Sequence, residues 1–219
     1  MVKIENTKIY GLDETLVRSV RMPFKSFDKS DSYRDDNGEF HLGENDLHLM
    51  ETLAHSKQGD SDGKFKRRIF VTTEFTLPQY IIAELATYKV GTVMNSSSIQ
   101  HIGMKRDYTW SDFSFEEDMD SKSAEAFGAL LQTINMNRQK YKSTKDYKYF
   151  RIMRQLIPMS FNYTISFACN YQVLQHIWSD RHNHRLKEWH DICEWIEELP
   201  YAKELILPLL PQGDSDLWE

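Results

Sequence analysis

The sequence predicts a mixed fold in which helices dominate and one small sheet is present. Three observations carry that expectation. Apolar residues recur at helical spacing in several segments. The run Phe65–Phe75, "FKRRIFVTTEF", is dense in β-branched and aromatic residues, as strands are. A length of 219 residues allows one substantial core, so a single domain spanning 1–219 is the default.

Taken in order, residues 5–24 alternate loosely around "LVRSVRMPF" and read as one or two strands leading to a turn. A polar stretch follows, with Asn37-Gly38 as its turn signal. Leu47, Leu49, Met50 and Leu53 recur as a short helix. After the Phe65–Phe75 strand, Pro78 opens a helix carrying Ile81, Ile82, Leu85 and Ala86 on one face; it is expected to run to about Tyr88 and stop near Gly91. A long helix starts near Ser121, and another covers "TKDYKYFRIMRQLI" before Pro158. "SFNYTISFACNYQVLQHIWSDR" starts extended and turns helical. Leu186, Trp189, Ile192, Cys193 and Ile196 form one stripe of an amphipathic helix, and "YAKELILPLL" adds a short one.

Composition narrows the class. An aromatic content of 13% and an apolar content of 40% exclude a disordered chain. No apolar run approaches the roughly 20 residues that cross a bilayer, and the start lacks a signal peptide's apolar stretch, so no membrane partner and a cytoplasmic location are expected. A net charge of −6 argues against broad nucleic-acid affinity, yet a few converging arginines can still hold one anionic small molecule. Cys169 and Cys193 make neither a disulfide framework nor a thiolate zinc site; buried free thiols are the expectation.

Familiar site signatures are absent: no glycine-rich nucleotide loop, no zinc-protease histidine pair, no serine elbow. His182, His184 and His190 point to different faces, so no metal site is assigned. Arg151 with Arg154, and Arg181 with Arg185, each lie within about one helical turn. Guanidinium pairs at that spacing can converge on a phosphate or a carbonyl-rich ring, or simply offset neighbours such as Asp146 and Glu188. The stretch 87–101, "TYKVGTVMNSSSIQH", is poor in charge and crowded with hydroxyls and amides. It is either a polar loop after a helix or the floor of a site for a phosphorylated ligand.

The whole pattern resembles the flavin-dependent thymidylate synthases. Members of that family carry Arg-His-Arg-x-x-Ser-x-Asn-Glu-x-Ser-x-Arg-Tyr after a helix, then Arg-x-x-Leu-Pro, then Asn-x-Arg in a helix ending with a catalytic arginine. Here Arg154 opens "RQLIP", Asn170 opens "NYQVLQHIWSDR", and Arg181 closes it, matching the family's spacing without a gap. "LVRSVRMPF" looks like the family's first strand, and "IFVTTEFTLPQYIIAELATY" like its approach to the first motif; the likeness covers about residues 12–198. The resemblance implies an α+β fold of the thymidylate-synthase-complementing type, with a small, mostly antiparallel sheet flanked by helices. It implies a homotetramer with sites between subunits. The implied activity is one-carbon transfer from methylenetetrahydrofolate to C5 of deoxyuridine monophosphate (dUMP), with FAD supplying the hydride and NADPH as reductant.

By the same resemblance, Arg181 is the catalytic arginine that steadies charge on the pyrimidine ring. Arg154 and Ser97 fall at substrate positions, with Glu84 replacing a glutamine there and Arg185 added from the second arginine pair. Lys89, Tyr88, Asn95, Asn170 and His176 fall at cofactor positions. Every motif is degraded. Thr87 and Tyr88 replace an Arg and a His that touch flavin, Asn95 replaces a glutamate, Ile99 an arginine, and Gln172 and His176 an arginine and an asparagine. Losing a charge-assisted contact costs on the order of 1.5–3 kcal/mol in a buried site. A flavin-independent hydroxymethylation and a non-catalytic binding role therefore stand beside the main reading. Each residue also has a plain alternative: dipole-favoured placement for Lys89, capping for Ser97 and Asn95, core or cap for Asn170 and His176, surface packing for Arg154, and a salt bridge with Asp180 or Glu188 for Arg181. The stripe around Trp189 and Trp195 looks exposed and suited to an oligomer.

Overall fold

The computed structural model describes residues 2–56, 61–98, 103 and 105–208. The chain divides into two compact units: 1–5, 74–87 and 94–167 form the first, and 6–73, 88–93 and 168–219 the second.

Four strands, β1 (Lys3–Tyr10), β4 (Phe70–Pro78), β5 (Val93–Ser96) and β6 (Asn162–Asn170), form one sheet in the order β1-β4-β6-β5. A two-stranded hairpin of β2 (Tyr33–Arg34) and β3 (Phe40–His41) turns at Asn37-Gly38, where Gly38 takes φ +81°. The Tyr171 amide donates to the Ile69 carbonyl, Thr76 pairs with Thr164, and the Gln79 amide donates to the Phe161 carbonyl. Numbers rise along β4 as they fall along β6, so the two run antiparallel. Val71, Thr73, Phe75 and Leu77 alternate inward on β4, answered by Ile165, Phe167 and Cys169 on β6. The architecture is α+β, a small antiparallel sheet flanked by helices.

The expected strand around "LVRSVRMPF" is a helix, α1 (Glu14–Arg21). Asp13 caps it, its carboxylate accepting the amides of Thr15 at 2.8 Å and Leu16 at 3.2 Å. Leu16, Val17 and Val20 fall on one helical face and are buried, so valine's strand preference yields to the cap and the core. Residues 61–68 form a 3-10 turn, so the strand expected from Phe65 begins only at Phe70.

The first unit is built around the long helix α4 (Ser121–Thr144) and α5 (Tyr147–Leu156). Asp120 and Asp146 cap their starts, and Lys145 takes a left-handed conformation (φ 58°) that reverses the chain between them. Their apolar faces meet Tyr108, Phe113 and Phe161 in an aromatic-rich core with Phe127, Leu131, Ile134 and Met153.

The second unit holds α2 (Glu44–Ala54), α6 (Tyr171–Arg181), α7 (Lys187–Glu197) and α8 (Ala202–Leu205), numbered after α3 (Gln79–Leu85) of the first unit. Leu16, Met50, Leu174, Ile177, Trp189, Ile192 and Leu205 are almost fully buried there. Trp189 is 0% and Trp195 9% exposed, so the stripe that looked free is core. The unit also buries charge. Arg21 donates to Asp46, whose other oxygen accepts the hydroxyls of Ser30 and Ser32. Burial pushes the Asp46 carboxyl up, but these hydrogen bonds outweigh it and hold it below the ordinary carboxylate range. Cys169 and Cys193 are buried free thiols; burial raises both, Cys193 to about 12. Among the described residues no helix is long and apolar enough to cross a membrane.

Candidate functional site

Helix α6 organises the candidate residues of the second unit. Asn170 starts it: the side-chain oxygen accepts the Val173 amide at 3.1 Å, an N-cap made by a residue only 8% exposed. Arg181 closes it. Asn170 and Arg181 thus mark opposite ends of α6, about 16 Å apart at 1.5 Å per residue. The segment 88–93 touches both ends. Tyr88 meets Arg181, while Gly91 (φ +80°) lies so close to Asn170 that a Cβ there would stand 3.0 Å from its Nδ2.

Arg181 is held on two sides. Its Nε–H donates to the Tyr88 hydroxyl at 3.2 Å, and its guanidinium carbon lies 4.7 Å from the centre of the Trp189 ring. The Tyr88 hydroxyl in turn donates to Asp180 Oδ2 at 3.1 Å. Burial raises the Tyr88 pKa despite the nearby Arg181 charge, so the phenol stays protonated and can donate. Sequence reasoning offered Asp180 as a salt-bridge partner of Arg181, whereas the structure sets it on the Tyr88 hydroxyl, and it missed Trp189 as a partner of Arg181. An aromatic residue within the helix following an arginine-terminated helix was the available signal.

The rest of α6 is anchored elsewhere. Lys66 Nζ donates to the Ala54 carbonyl at 2.9 Å and to Gln175 Oε1 at 2.8 Å, and Arg67 Nε–H donates to Gln172. Lys66 is 4% exposed, and burial drops its pKa to about 8. His176 on the same helix is exposed, as are Lys89 and Arg185. Lys89 is not in a last helical turn, because α3 ends at Leu85, and just beyond it the Thr87 hydroxyl donates to the Glu84 carbonyl at 2.6 Å. Its dipole-based placement therefore does not hold.

The first unit carries Glu84, Asn95, Ser97 and Arg154. Glu84 is half-buried at the end of α3. Asn95 lies exposed on β5 rather than capping a helix. The Ser97 amide donates to the Thr164 carbonyl at 2.8 Å, and its buried hydroxyl has no hydrogen-bond partner among the described residues. Arg154 is exposed on α5, and its charge reaches the buried Tyr108, whose hydroxyl also has no partner among the described residues. Burial lifts the Tyr108 phenol to about 12, against the pull of Arg154 and Arg138. Ile99 lies outside the described residues.

The three histidines are occupied separately: His182 with the Trp178 carbonyl and a Trp178 ring 4.2 Å away, His184 with the Leu186 amide, His190 with the His184 carbonyl. Among the described residues, the group brought within metal-ligand distance is Asp35, Glu39 and His41 on the β2–β3 hairpin, none of them a sequence candidate. There Asp35 already accepts the Asn37 and Glu39 amides of the turn.

The cofactor positions fit a flavin poorly. Tyr88 is spent on Arg181 and Asp180, and Asn170 caps α6 with its amide group packed on Gly91. That leaves Lys89, Asn95 and His176, all exposed. Exposed single contacts contribute far less than the buried, charge-assisted ones that a tightly held FAD requires.

No protein-family model matches the chain, and no curated protein sequence matches it. Solved structures do. Thymidylate synthase X (ThyX) from Helicobacter pylori, with FAD and dUMP, superposes with a TM-score of 0.69 at 12% identity over 94% of this chain and 97% of that one. A second structure of H. pylori ThyX, described as a flavin-dependent thymidylate synthase complexed with FAD and dUMP, gives 0.67 at 14% over 93% and 97%. The UMP/dUMP methylase PolB from Streptomyces cacaoi, bound with 5-Br dUMP, gives 0.55 at 14% over 94% of each chain. At these identities the likeness establishes one thing: the chain has the fold of these enzymes along nearly its whole length.

Proposed function

We propose that the chain, working as one functional domain, binds a pyrimidine nucleotide of the dUMP type and catalyses one-carbon transfer to C5 of its ring. The observation that carries the proposal is the held guanidinium of Arg181, fixed by the Tyr88 hydroxyl and the Trp189 ring at the end of α6. The fold shared with a dUMP-bound synthase, seen in two structures, and a 5-Br dUMP-bound methylase supports the choice of ligand.

C5 of uracil is a poor nucleophile until negative charge can gather on the ring. An oriented guanidinium beside a ring carbonyl stabilises that charge, most strongly where water is partly excluded. Methylenetetrahydrofolate supplies the carbon, and the C5 proton leaves as the new bond is completed. Ser97, whose buried hydroxyl has no partner among the described residues, Arg154, Glu84 and Arg185 are the proposed nucleotide contacts. The chain is proposed to assemble as a homotetramer, which light scattering on purified protein tests directly.

The ending of the reaction divides two readings. A methyl product needs a hydride, which FAD recharged by NADPH would supply. Redox-neutral hydroxymethylation instead ends with water adding to the transferred methylene, and the commitments of Tyr88 and Asn170 favour it. The test is an incubation with dUMP and methylenetetrahydrofolate, with and without FAD and NADPH, read by product mass and by tritium release from C5. A hydroxymethyl product without FAD supports the second reading; thymidylate only with FAD and NADPH supports the first. No tritium release under either condition overturns one-carbon transfer.

A further inference from the structure

We infer that Tyr88 is a positioning residue for Arg181, and that Asp180, Tyr88 and Arg181 form one hydrogen-bonded relay setting the guanidinium plane. The inference rests on the role proposed for Arg181 and adds how this chain fixes it.

The geometry is directional. A phenol offers one donor and two acceptor sites. Here the donor goes to Asp180 Oδ2 at 3.1 Å and an acceptor site receives Arg181 Nε–H at 3.2 Å. Because Asp180 takes the proton, the oxygen lone pairs must face Arg181, and the phenol cannot rotate to repel it. Trp189, buried at 0% exposure, supplies a rigid face 4.7 Å beneath the guanidinium carbon. Nε held from the side and Cζ held from below fix the orientation of the guanidinium plane. A guanidinium constrained in this way loses less rotational freedom when its fork closes on a planar ligand. Asp180 and Arg181 are consecutive on α6, whereas Tyr88 arrives from a distant segment. The phenol therefore also ties segment 88–93 to the end of the helix.

Tyr88→Phe removes the hydroxyl and keeps the ring. Two readouts are taken on the full chain against wild type: dUMP affinity by calorimetry, and the rate of Arg181 modification by phenylglyoxal, followed by peptide mass spectrometry with exposed Arg151 as internal reference. The expected results are roughly tenfold weaker dUMP binding, the ratio typical of one hydrogen bond to a charged group, and Arg181 modification several-fold faster relative to Arg151. Asp180→Asn, which retains a weaker acceptor, should fall between the two. Unchanged Arg181 modification in Tyr88→Phe overturns the inference, whatever the binding result. If wild type does not bind dUMP, the nucleotide reading fails, and the modification rates still decide whether Tyr88 holds Arg181.

Discussion

Two arginines carry the sequence-level case for a nucleotide site, and their surroundings differ sharply. Arg181 is half-buried, with its Nε bonded to a phenol and its charge over an indole. Arg154 stands exposed on α5, where its charge reaches Tyr108 and its side chain is open to solvent. The same side chain, singled out by the same spacing, is oriented in one place and solvent-exposed in the other. On the proposed reading Arg181 orients the reacting ring, while Arg154 supplies a longer-range attraction that salt would screen.

The largest expected effect comes from removing the platform under Arg181. Trp189→Ala should cost about 3–5 kcal/mol of stability, the range for deleting a buried aromatic side chain, seen as a lower denaturant midpoint. A loss within 1 kcal/mol would show that the ring is not the rigid floor described. Arg181→Ala should weaken dUMP binding by about tenfold or more, with little effect on the midpoint, and Arg154→Ala by less. Equal binding losses would erase the contrast between the two arginines.

Next comes Lys66, which ties α6 to the end of α2. Its folded pKa is about 8, below the 10.5 of a free lysine. Between those values the unfolded chain binds more protons than the folded one, so this group makes stability rise with pH from about 8 to 10.5. Below that window the charged, buried form is a standing penalty. Lys66→Met should remove the slope, read as the difference between variant and wild-type urea midpoints at pH 7, 8, 9 and 10. Asn170→Ala should lose about 1 kcal/mol as a broken N-cap while leaving Arg181 modification unchanged. Arg154→Ala should shift stability least, within about 0.5 kcal/mol, as exposed substitutions do.

Much of this frame was legible in the chain. The passage from extended to helical at Asn170-Tyr171 shows in "TISFACN" followed by apolar residues at helical spacing, and the structure changes from β6 to α6 there. The interval from Asn170 to Arg181 likewise fixed the two ends of one helix. Around "LVRSVRMPF" the local signal misled, since valine favours strands, although Asp13 and Thr15 before an apolar i, i+1, i+4 set were the helix signal that mattered. Trp189 and Trp195 misled differently. An amphipathic stripe shows that a face will be covered, and periodicity holds no information on what covers it.

The sequence by itself determined the mixed helix-and-strand class, the helix that carries Asn170 and Arg181, and the buried state of both cysteines. These follow from spacing and polarity, which act between neighbours in the chain. Only the tertiary structure decided that Tyr88 serves Arg181 and that Lys66 is a buried, proton-shedding strut. Each depends on which side chain arrives from a distant segment to meet a donor or acceptor, and partner choice at hydrogen-bond range is set by packing rather than by local pattern.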